Sequence, residues 1–287
     1  MKALKIISVL LFMTIPLLFS SCERDPSIEK GNYLYEHREL LFVNGSPVQW
    51  SGDATNEIKE MVWGILADMV KVEGGTFMMG SINSDYANES PAHEVTLSDF
   101  YLSKVTVTQK QWRTIMGEDA MWNEQYGKGD DYPANYISYN QAVQFIEKLN
   151  HYSGLPFRMP TEAEWEYAAL GGKYSQGFAY SGSHYANEVA WCRENASAKM
   201  HLPAKLKPNE LGLYDMSGNL WEWCSDYYGN YSSGAQTNPA GPSTGSKRVL
   251  RGGSFTYNAV FARSKSRNSL PPTNQSLAVG LRLALES

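Results

Sequence analysis

The clearest hydrophobic pattern near the start of the chain is a helical one, in residues 56–69. Apolar residues there recur three or four positions apart, which places them on one face of a helix. They are Ile58, Met61, Val62, Ile65, Leu66 and Met69. The pattern therefore predicts an amphipathic helix that packs on the protein core.

Three further helices are predicted from their first residues. Each begins with a Ser or Thr whose side chain can accept the amide three residues on, where a Gln or Glu reaches back. The pairs are Thr108 with Gln111, Ser138 with Gln141, and Thr161 with Glu164. The buried stripe predicted for the second of these helices is Ala142, Phe145, Ile146 and Leu149. Gly154 should end that helix, because glycine adopts the left-handed conformation easily.

Short strands are predicted on both sides of the first helix. An apolar run at residues 40–43, followed by Asn44-Gly45, predicts a β-hairpin, with a plain loop as the alternative. Residues 70–79, with Gly74-Gly75 in the middle, predict a pair of strands joined by a tight turn. After residue 172 the pattern breaks into short runs without a sustained period, which predicts a loop-rich half with short strands.

Composition and charge narrow the class of protein. The chain has 287 residues, of which 43% are hydrophobic, so extended disorder is excluded. The net charge is −5 and basic residues form no stripe, so no nucleic acid partner is expected. Residues 70–287 contain no repeat and no dividing linker. We predict that they form one main domain, on which residues 40–69 pack as an N-terminal hairpin and helix.

The first residues have the pattern of an export signal. Lys2 and Lys5 precede an apolar run at residues 6–19, which is shorter than the roughly 20 residues that span a bilayer. Small residues before Cys22 resemble a bacterial lipobox, although ordinary secretion is the alternative. We predict a lipoprotein signal peptide at residues 1–21 and a tether at residues 22–39. Acyl chains on Cys22 would then attach the protein to the membrane, as an outer-membrane lipoprotein that is periplasmic or surface-exposed.

Two cysteines remain after Cys22, namely Cys192 and Cys224. An exported protein can form disulfides, so the two residues are either one disulfide or two buried thiols, and spacing does not decide between them. Neither belongs to a CxxC pair, so a thiolate metal site is not expected.

Three segments carry a resemblance to a known family. They are residues 158–169 (RMPTEAEWEYAA), residues 209–223 (NELGLYDMSGNLWEW), and residues 251–255 (RGGSF) followed by 280–283 (GLRL). In this order they resemble the formylglycine-generating enzyme, or sulfatase-modifying factor, family over about residues 70–285. The resemblance implies an α+β, formylglycine-generating-enzyme-like fold related to C-type lectins, loop-rich and with little regular secondary structure.

The chemistry of that family is the oxidation of a substrate cysteine to formylglycine, with O2 and a copper ion held by two cysteine thiolates. Comparison from Gly252-Gly253-Ser254 onward places Tyr257 and Ala262 at those two positions, and no cysteine follows Cys224. Soft thiolates suit Cu(I), whereas a phenol and a methyl group do not. We therefore predict no catalytic residue here, no copper and no cysteine oxidase activity.

The resemblance also implies a calcium site. Its ligands would be the carboxylates of Asp215 and Glu222 with the carbonyls of Gly218 and Leu220, and such hard oxygen ligands suit Ca2+. The alternative is that the two carboxylates only accept hydrogen bonds from nearby backbone amides. The carboxylates at Glu162, Glu164 and Glu166 are interpreted as structural, because acidic residues favour the first turns of a helix.

A ligand surface is the remaining candidate for function. In the family the C-terminal segment lines the substrate groove, and aromatic and polar side chains together suit contact with a ligand. The candidate groove residues are Phe255, Tyr257, Asn258, Phe261, Arg263 and Arg267. The groove could hold a peptide, a glycan or an envelope protein, or these residues could simply cover one face of the fold.

The sequence therefore predicts a lipid-anchored bacterial envelope protein that acts as a non-oxidase binding or assembly module. One variant resembles family members that build the secretion and gliding apparatus of Bacteroidetes, and another resembles the variable receptors of diversity-generating retroelements. The alternatives are an oxidoreductase of altered chemistry, or a formylglycine-generating enzyme that acts on sulfatases.

Overall fold

The helices lie mainly in the first half of the chain. A computed structural model describes residues 48–82 and 85–286. Its α-helices are α1 (Asn56–Ala67), α2 (Gln109–Met116), α3 (Tyr139–Ser153), α4 (Glu162–Ala169) and α5 (Ala186–Val189). No helix in the described part is long and apolar enough to cross a membrane. The predicted signal peptide, Cys22, the tether and residues 40–47 of the predicted hairpin lie outside the described residues.

The local signals that predicted α1 to α4 are confirmed, whereas α5 was not predicted. All three predicted capping boxes are present, before α2, α3 and α4. The predicted stripe of α3 is buried, and Gly154 follows the helix with φ 67°. Helix α1 ends at Ala67, two residues before the predicted end, because Met69 begins the first strand. Its buried face shares a hydrophobic cluster with Trp112 and Phe145.

Twelve short strands form four small sheets in the described part of the chain. The strands are β1 (Met69–Val72), β2 (Gly75–Met79), β3 (His93–Leu97), β4 (Phe100–Ser103), β5 (Ala190–Trp191), β6 (Ser217–Gly218), β7 (Trp221–Tyr227), β8 (Gln236–Thr237), β9 (Arg248–Arg251), β10 (Arg267–Leu270), β11 (Val279–Gly280) and β12 (Ala284–Glu286). The sheet orders are β1-β4-β12, β10-β9-β7-β11, β2-β3-β8 and β5-β6. The short strands after residue 172 agree with the sequence prediction.

The predicted pairing of residues 70–79 with themselves is wrong. Strands β1 and β2 exist, but β1 pairs with β4 and β2 pairs with β3, in one continuous antiparallel register. Between them lies Gly74, whose N–H donates to Asp99 Oδ1 at 2.8 Å. A Cβ at Gly74 would lie 2.2 Å from the Leu97 carbonyl oxygen. The glycine therefore allows close approach to the partner strand and does not form a hairpin turn.

The core joins the helices to the C-terminal sheet. Trp165 from α4 and Trp223 from β7 are fully buried, in two different hydrophobic clusters. Arg251 and Arg282 are also completely buried, and each is paired with a carboxylate. These pairs fix β9 and β7, and β10 pairs with β9, so the segment between β9 and β10 has a fixed base.

Candidate functional site

The candidate groove segment is shaped by two glycines directly after β9. Gly252 and Gly253 have φ of 98° and 75°, values that L side chains rarely adopt. A Cβ at Gly253 would lie 2.7 Å from the Phe261 carbonyl oxygen and 2.8 Å from the Cα of Ala262. The turn can therefore pack directly against the short 3-10 helix at Ala259–Ala262, which brings Tyr257 and Phe261 together.

An aromatic row runs from the core to the surface at this point. We define it as Trp221, Tyr257 and Phe261, whose rings meet edge to face at centroid distances of 5.7 Å and 5.5 Å. Trp221 is buried, whereas Tyr257 is 37% exposed and Phe261 39% exposed. Asn258 is exposed between them. The outer end of the row is thus an aromatic surface on a rigid base.

Not all six predicted groove residues reach that surface. Phe255 is buried against Leu220 in a small cluster, so its prediction as a ligand contact is corrected. Arg267 is also buried, because its guanidinium is paired with Glu162. Arg263 is partly exposed and donates to Glu89 Oε2 at 3.0 Å. An aromatic or basic residue type does not by itself tell which face of the fold the side chain occupies.

No copper site of the thiolate kind fits these residues. Ala262 is buried and offers only a methyl group, while Tyr257 offers a phenol. Cys192 and Cys224 are both buried and unpaired, so the alternative of two thiols is the one observed. Burial raises the pKa of Cys192 to about 11, and it raises the pKa of Cys224 well above its usual value. Neither thiol is set up to be a thiolate ligand.

The predicted calcium turn has one paired and one unpaired carboxylate. Glu222 is fully buried and accepts from Arg282 on both oxygens, at 2.9 Å and 2.8 Å, and from Trp165 Nε1 at 2.7 Å. Asp215 accepts from the Ala204 N–H at 2.8 Å, and burial raises its pKa to about 6. Asp215 could contribute charge to a cation, but Glu222 is already neutralised. This arrangement does not fit a site that needs both carboxylates.

A buried acid–base cluster was missed by the sequence reasoning. Glu162 and Glu166, interpreted only as acids at a helix start, pair with Arg267 and Arg251 from the β9–β10 sheet. Arg251 also lies 3.6 Å from Glu162. The available signal was the pattern of single arginines inside apolar strand segments, since a buried charge is rarely left without a partner.

Comparison with known proteins gives consistent matches. The sulfatase-modifying factor enzyme 1-like domain matches residues 56–287. The chain is 36% identical over 211 residues to chaperone protein LppX of Paenibacillus barcinonensis, covering 56% of this chain and 72% of that protein. It is 28% identical over 284 residues to the formylglycine-generating enzyme of Streptomyces coelicolor, covering 75% of this chain and 88% of that enzyme.

A solved structure agrees with the fold. Treponema denticola variable protein 1 superposes with a TM-score of 0.69 and 28% identity, covering 76% of this chain and 95% of that protein. The expected α+β, formylglycine-generating-enzyme-like fold is therefore confirmed. The chain belongs to the family of proteins with a sulfatase-modifying factor enzyme 1-like domain.

Proposed function

We propose that this protein is a binding module that holds its ligand on the outer end of the aromatic row and does not oxidise cysteine. The observation that carries the proposal is the pair of residues at the family's copper positions, Tyr257 and Ala262. A phenol and a buried methyl group cannot hold Cu(I). The other two thiols, at Cys192 and Cys224, are buried and have raised pKa values.

The surface itself supports a ligand-holding role. Tyr257 and Phe261 present flat apolar area with few rotatable bonds, and Asn258 adds an adaptable hydrogen-bonding group. One similar protein, LppX, is named a chaperone, which is in line with a role in holding a ligand. A peptide, a glycan or an envelope protein is the class of partner that such a surface suits.

Cu(I) titration of the purified full chain tests the missing oxidase chemistry. The unmodified chain should show no tight one-to-one Cu(I) binding and should form no aldehyde on a cysteine-containing peptide. The double variant Tyr257→Cys/Ala262→Cys should gain Cu(I) affinity, and Tyr257→Cys alone is the matched control with one thiol. Stoichiometric Cu(I) and aldehyde product from the unmodified chain would remove the proposal.

A binding screen on immobilised peptides and glycans tests the surface. For any hit, the variant Tyr257→Ser/Phe261→Ser should bind at least about tenfold more weakly, because exposed aromatic anchors commonly carry 1–2 kcal/mol or more. The control variant Tyr174→Ser removes an exposed tyrosine elsewhere and should leave binding unchanged. Equal loss in both variants would argue against a ligand site at the aromatic row.

Membrane attachment is a further part of the proposal. Residues 1–21 would be removed as a signal peptide and Cys22 acylated, giving an outer-membrane lipoprotein that is periplasmic or surface-exposed. Support comes from Lys2, Lys5 and the apolar run that follows them. Labelling cells with a palmitate analogue should mark the wild type and not Cys22→Ser, and equal labelling of both would contradict the anchor.

Calcium binding at the Asp215 turn stays a separate proposal. Its support is the buried Asp215 carboxylate, for which no ion pair occurs among the described residues. Ca2+ would have to share Glu222 with Arg282, which counts against tight binding. A rise in melting temperature with Ca2+ over EGTA, absent in Asp215→Asn, would support the site. An unchanged melting temperature at millimolar Ca2+ would remove it.

A further inference from the structure

A pocket that shares no lining residue with the aromatic row lies beside the start of α4. Its volume is about 310 Å³, and it is bounded by the ends of β2 and β7, the start of β3 and the loop at residues 229–242. The polar side chains of its floor are buried, and they are His93, Glu162, Asp226 and Arg267. The residues of its rim are exposed, and they are Asn230, Ser232, Ala240, Gly241 and Pro242.

Asp226 is a buried carboxylate of the pocket floor whose two hydrogen bonds reach the same oxygen. Its Oδ2 accepts from the Glu162 N–H at 2.9 Å and from Ser225 Oγ at 3.1 Å. Its Oδ1 has no hydrogen-bond donor within residues 48–82 and 85–286. A Cβ at Gly241 on the rim would lie 3.1 Å from that oxygen. One carboxylate oxygen is therefore left toward the loop that forms the rim.

The charges around the floor do not balance. Three carboxylates, on Glu162, Glu166 and Asp226, lie with two guanidinium groups, on Arg251 and Arg267. Three negative charges minus two positive charges leave one negative charge without a partner when Asp226 is ionised. A single monovalent cation would complete the set.

Most hydrogen-bond donors of Arg267 and Tyr231 in the pocket already point at acceptors of the protein. Arg267 donates from Nε and Nη2 to Glu162, at 2.6 Å and 2.7 Å, and from Nη1 to the Asn88 carbonyl at 2.8 Å. Tyr231 donates its hydroxyl to Glu162 at 3.3 Å. A ligand that donates hydrogen bonds would find an acceptor at the second carboxylate oxygen of Asp226.

The other lining residues suit an aliphatic stem. Met79, Ala163, Pro239 and Pro242 offer apolar contacts between the floor and the rim. We propose that this pocket binds a primary ammonium group on an unbranched aliphatic chain, with Asp226 as its counter-ion. The lysine side chain of a partner protein and a free diamine share this chemistry.

The titration of Asp226 is consistent with this geometry. Burial, and next the nearby Glu162 carboxylate, raise the pKa of Asp226 to about 7. The other titratable or charged groups that face it are Tyr139, Arg158, Glu164, Cys224, Tyr227, Tyr231, His93 and Arg267. A bound ammonium group would favour the ionised carboxylate, so binding near pH 7 should release roughly half a proton.

Calorimetry on the full chain at pH 7 tests the proposal. The probes are Nα-acetyl-lysine methylamide, cadaverine and, as the neutral control, Nα-acetyl-norleucine methylamide. Titrations in phosphate and in HEPES separate proton release from binding heat. At least one of the two amines should bind with proton release, and the norleucine compound should not bind. Preference for the lysine compound indicates a protein partner, and preference for cadaverine indicates a free diamine.

The variant Asp226→Asn should weaken amine binding by about 30-fold or more, since a buried charge partner is lost. The control Glu147→Gln, an exposed acid on α3, should bind like the wild type. If Asp226→Asn does not fold, proton release in the wild type decides. Amine binding without proton release, equal binding by Asp226→Asn or by the norleucine compound, or no amine binding at tens of millimolar would each overturn the proposal. None of these outcomes tests ligand binding at the aromatic row, so the two proposals can fail independently.

Discussion

Buried arginines organise the polar part of the core at the scale of single residues. Arg282 reaches Glu222, the Ser103 carbonyl and the Tyr214 carbonyl, so one side chain joins three segments distant in sequence. An unpaired buried charge costs several kcal/mol, so these carboxylates and guanidinium groups depend on one another. Asp226 is the member of this buried set whose charge has no partner.

The free energy of unfolding should therefore decrease as the pH rises from about 4 to about 7, because Asp226 ionises in this range. The folded pKa is raised from 3.8 to about 7, so in this window the folded state binds the proton more tightly than the unfolded state. The contribution of protonated Asp226 to the free energy of unfolding is fully present below this window. It is lost as the pH rises through the window, and about three pKa units correspond to roughly 4 kcal/mol.

Urea unfolding from pH 4.5 to 8 of the wild type and Asp226→Asn measures this effect. The stability of the variant relative to the wild type should increase with pH, because an amide does not ionise. The exposed acid variant Glu147→Gln should differ from the wild type by a constant amount. A pH-independent difference for Asp226→Asn would show that the pKa of Asp226 is not raised.

Sequence could predict where acidic residues stand, but not what they pair with. Glu162 and Glu166 were correctly placed at the start of a helix by the Thr161 capping box. Their partners Arg251 and Arg267 come from strands about 85 to 105 positions later, and no local pattern encodes that distance. The same limit hid the burial of Phe255, since an aromatic residue fits a core and a surface equally.

At the scale of elements, local chemistry predicted the helices well and the strand pairing poorly. A capping box is complete within four residues, so Ser138 and Gln141 predict the start of α3 from local sequence alone. Strand pairing is a long-range property. Strands β1 and β2 are adjacent in sequence, yet each needs a partner from residues 93–103 to form its ladder.

Two helix-ending glycines offer a matched test of how the N-terminal segment is held. Gly117 and Gly154 both follow helices with positive φ, at 83° and 67°. A Cβ at Gly117 meets nothing within 4 Å, whereas at Gly154 it would lie 2.9 Å from the Gln49 carbonyl oxygen. Gln49 in turn donates its N–H to Ser153 at 3.0 Å.

We expect Gly117→Ala to lower the free energy of unfolding by about 1 kcal/mol, which is the strain of a left-handed alanine. Gly154→Ala should cost about 2–3 kcal/mol, because the segment that contains Gln49 must also move. Chemical denaturation of both variants gives the comparison. Equal losses would mean that residues near 49 are not held against the end of α3.

At the scale of the whole molecule, the motifs in residues 158–169, 209–223 and 251–283 were sufficient to predict the fold. The order of these motifs along the chain is specific to the family and so predicts the fold, and the solved structure of a similar protein has the same fold. The position of a ligand surface was only partly predictable. The order of motifs places a segment in the fold, but side-chain packing decides that Tyr257 is exposed and Phe255 is not.

The reactivity of the two buried cysteines measures how often the folded structure around them opens. Cys192 and Cys224 are buried and unpaired, with raised pKa values, so they should react with a disulfide reagent on the order of 10²–10³-fold more slowly than in the unfolded chain. An engineered thiol, Ser233→Cys, lies in an exposed loop and should react quickly. Native thiols that react as fast as this control would contradict their burial.

Strand β12 has a consequence for how the protein is made. Its residues Ala284 and Leu285 pair with Leu102 and Tyr101 of β4, and the other edge of β4 pairs with β1. The nascent chain cannot complete this sheet until residue 286 has left the ribosome. Because such long-range pairing is slow, we expect this sheet to be among the last parts of the fold to form.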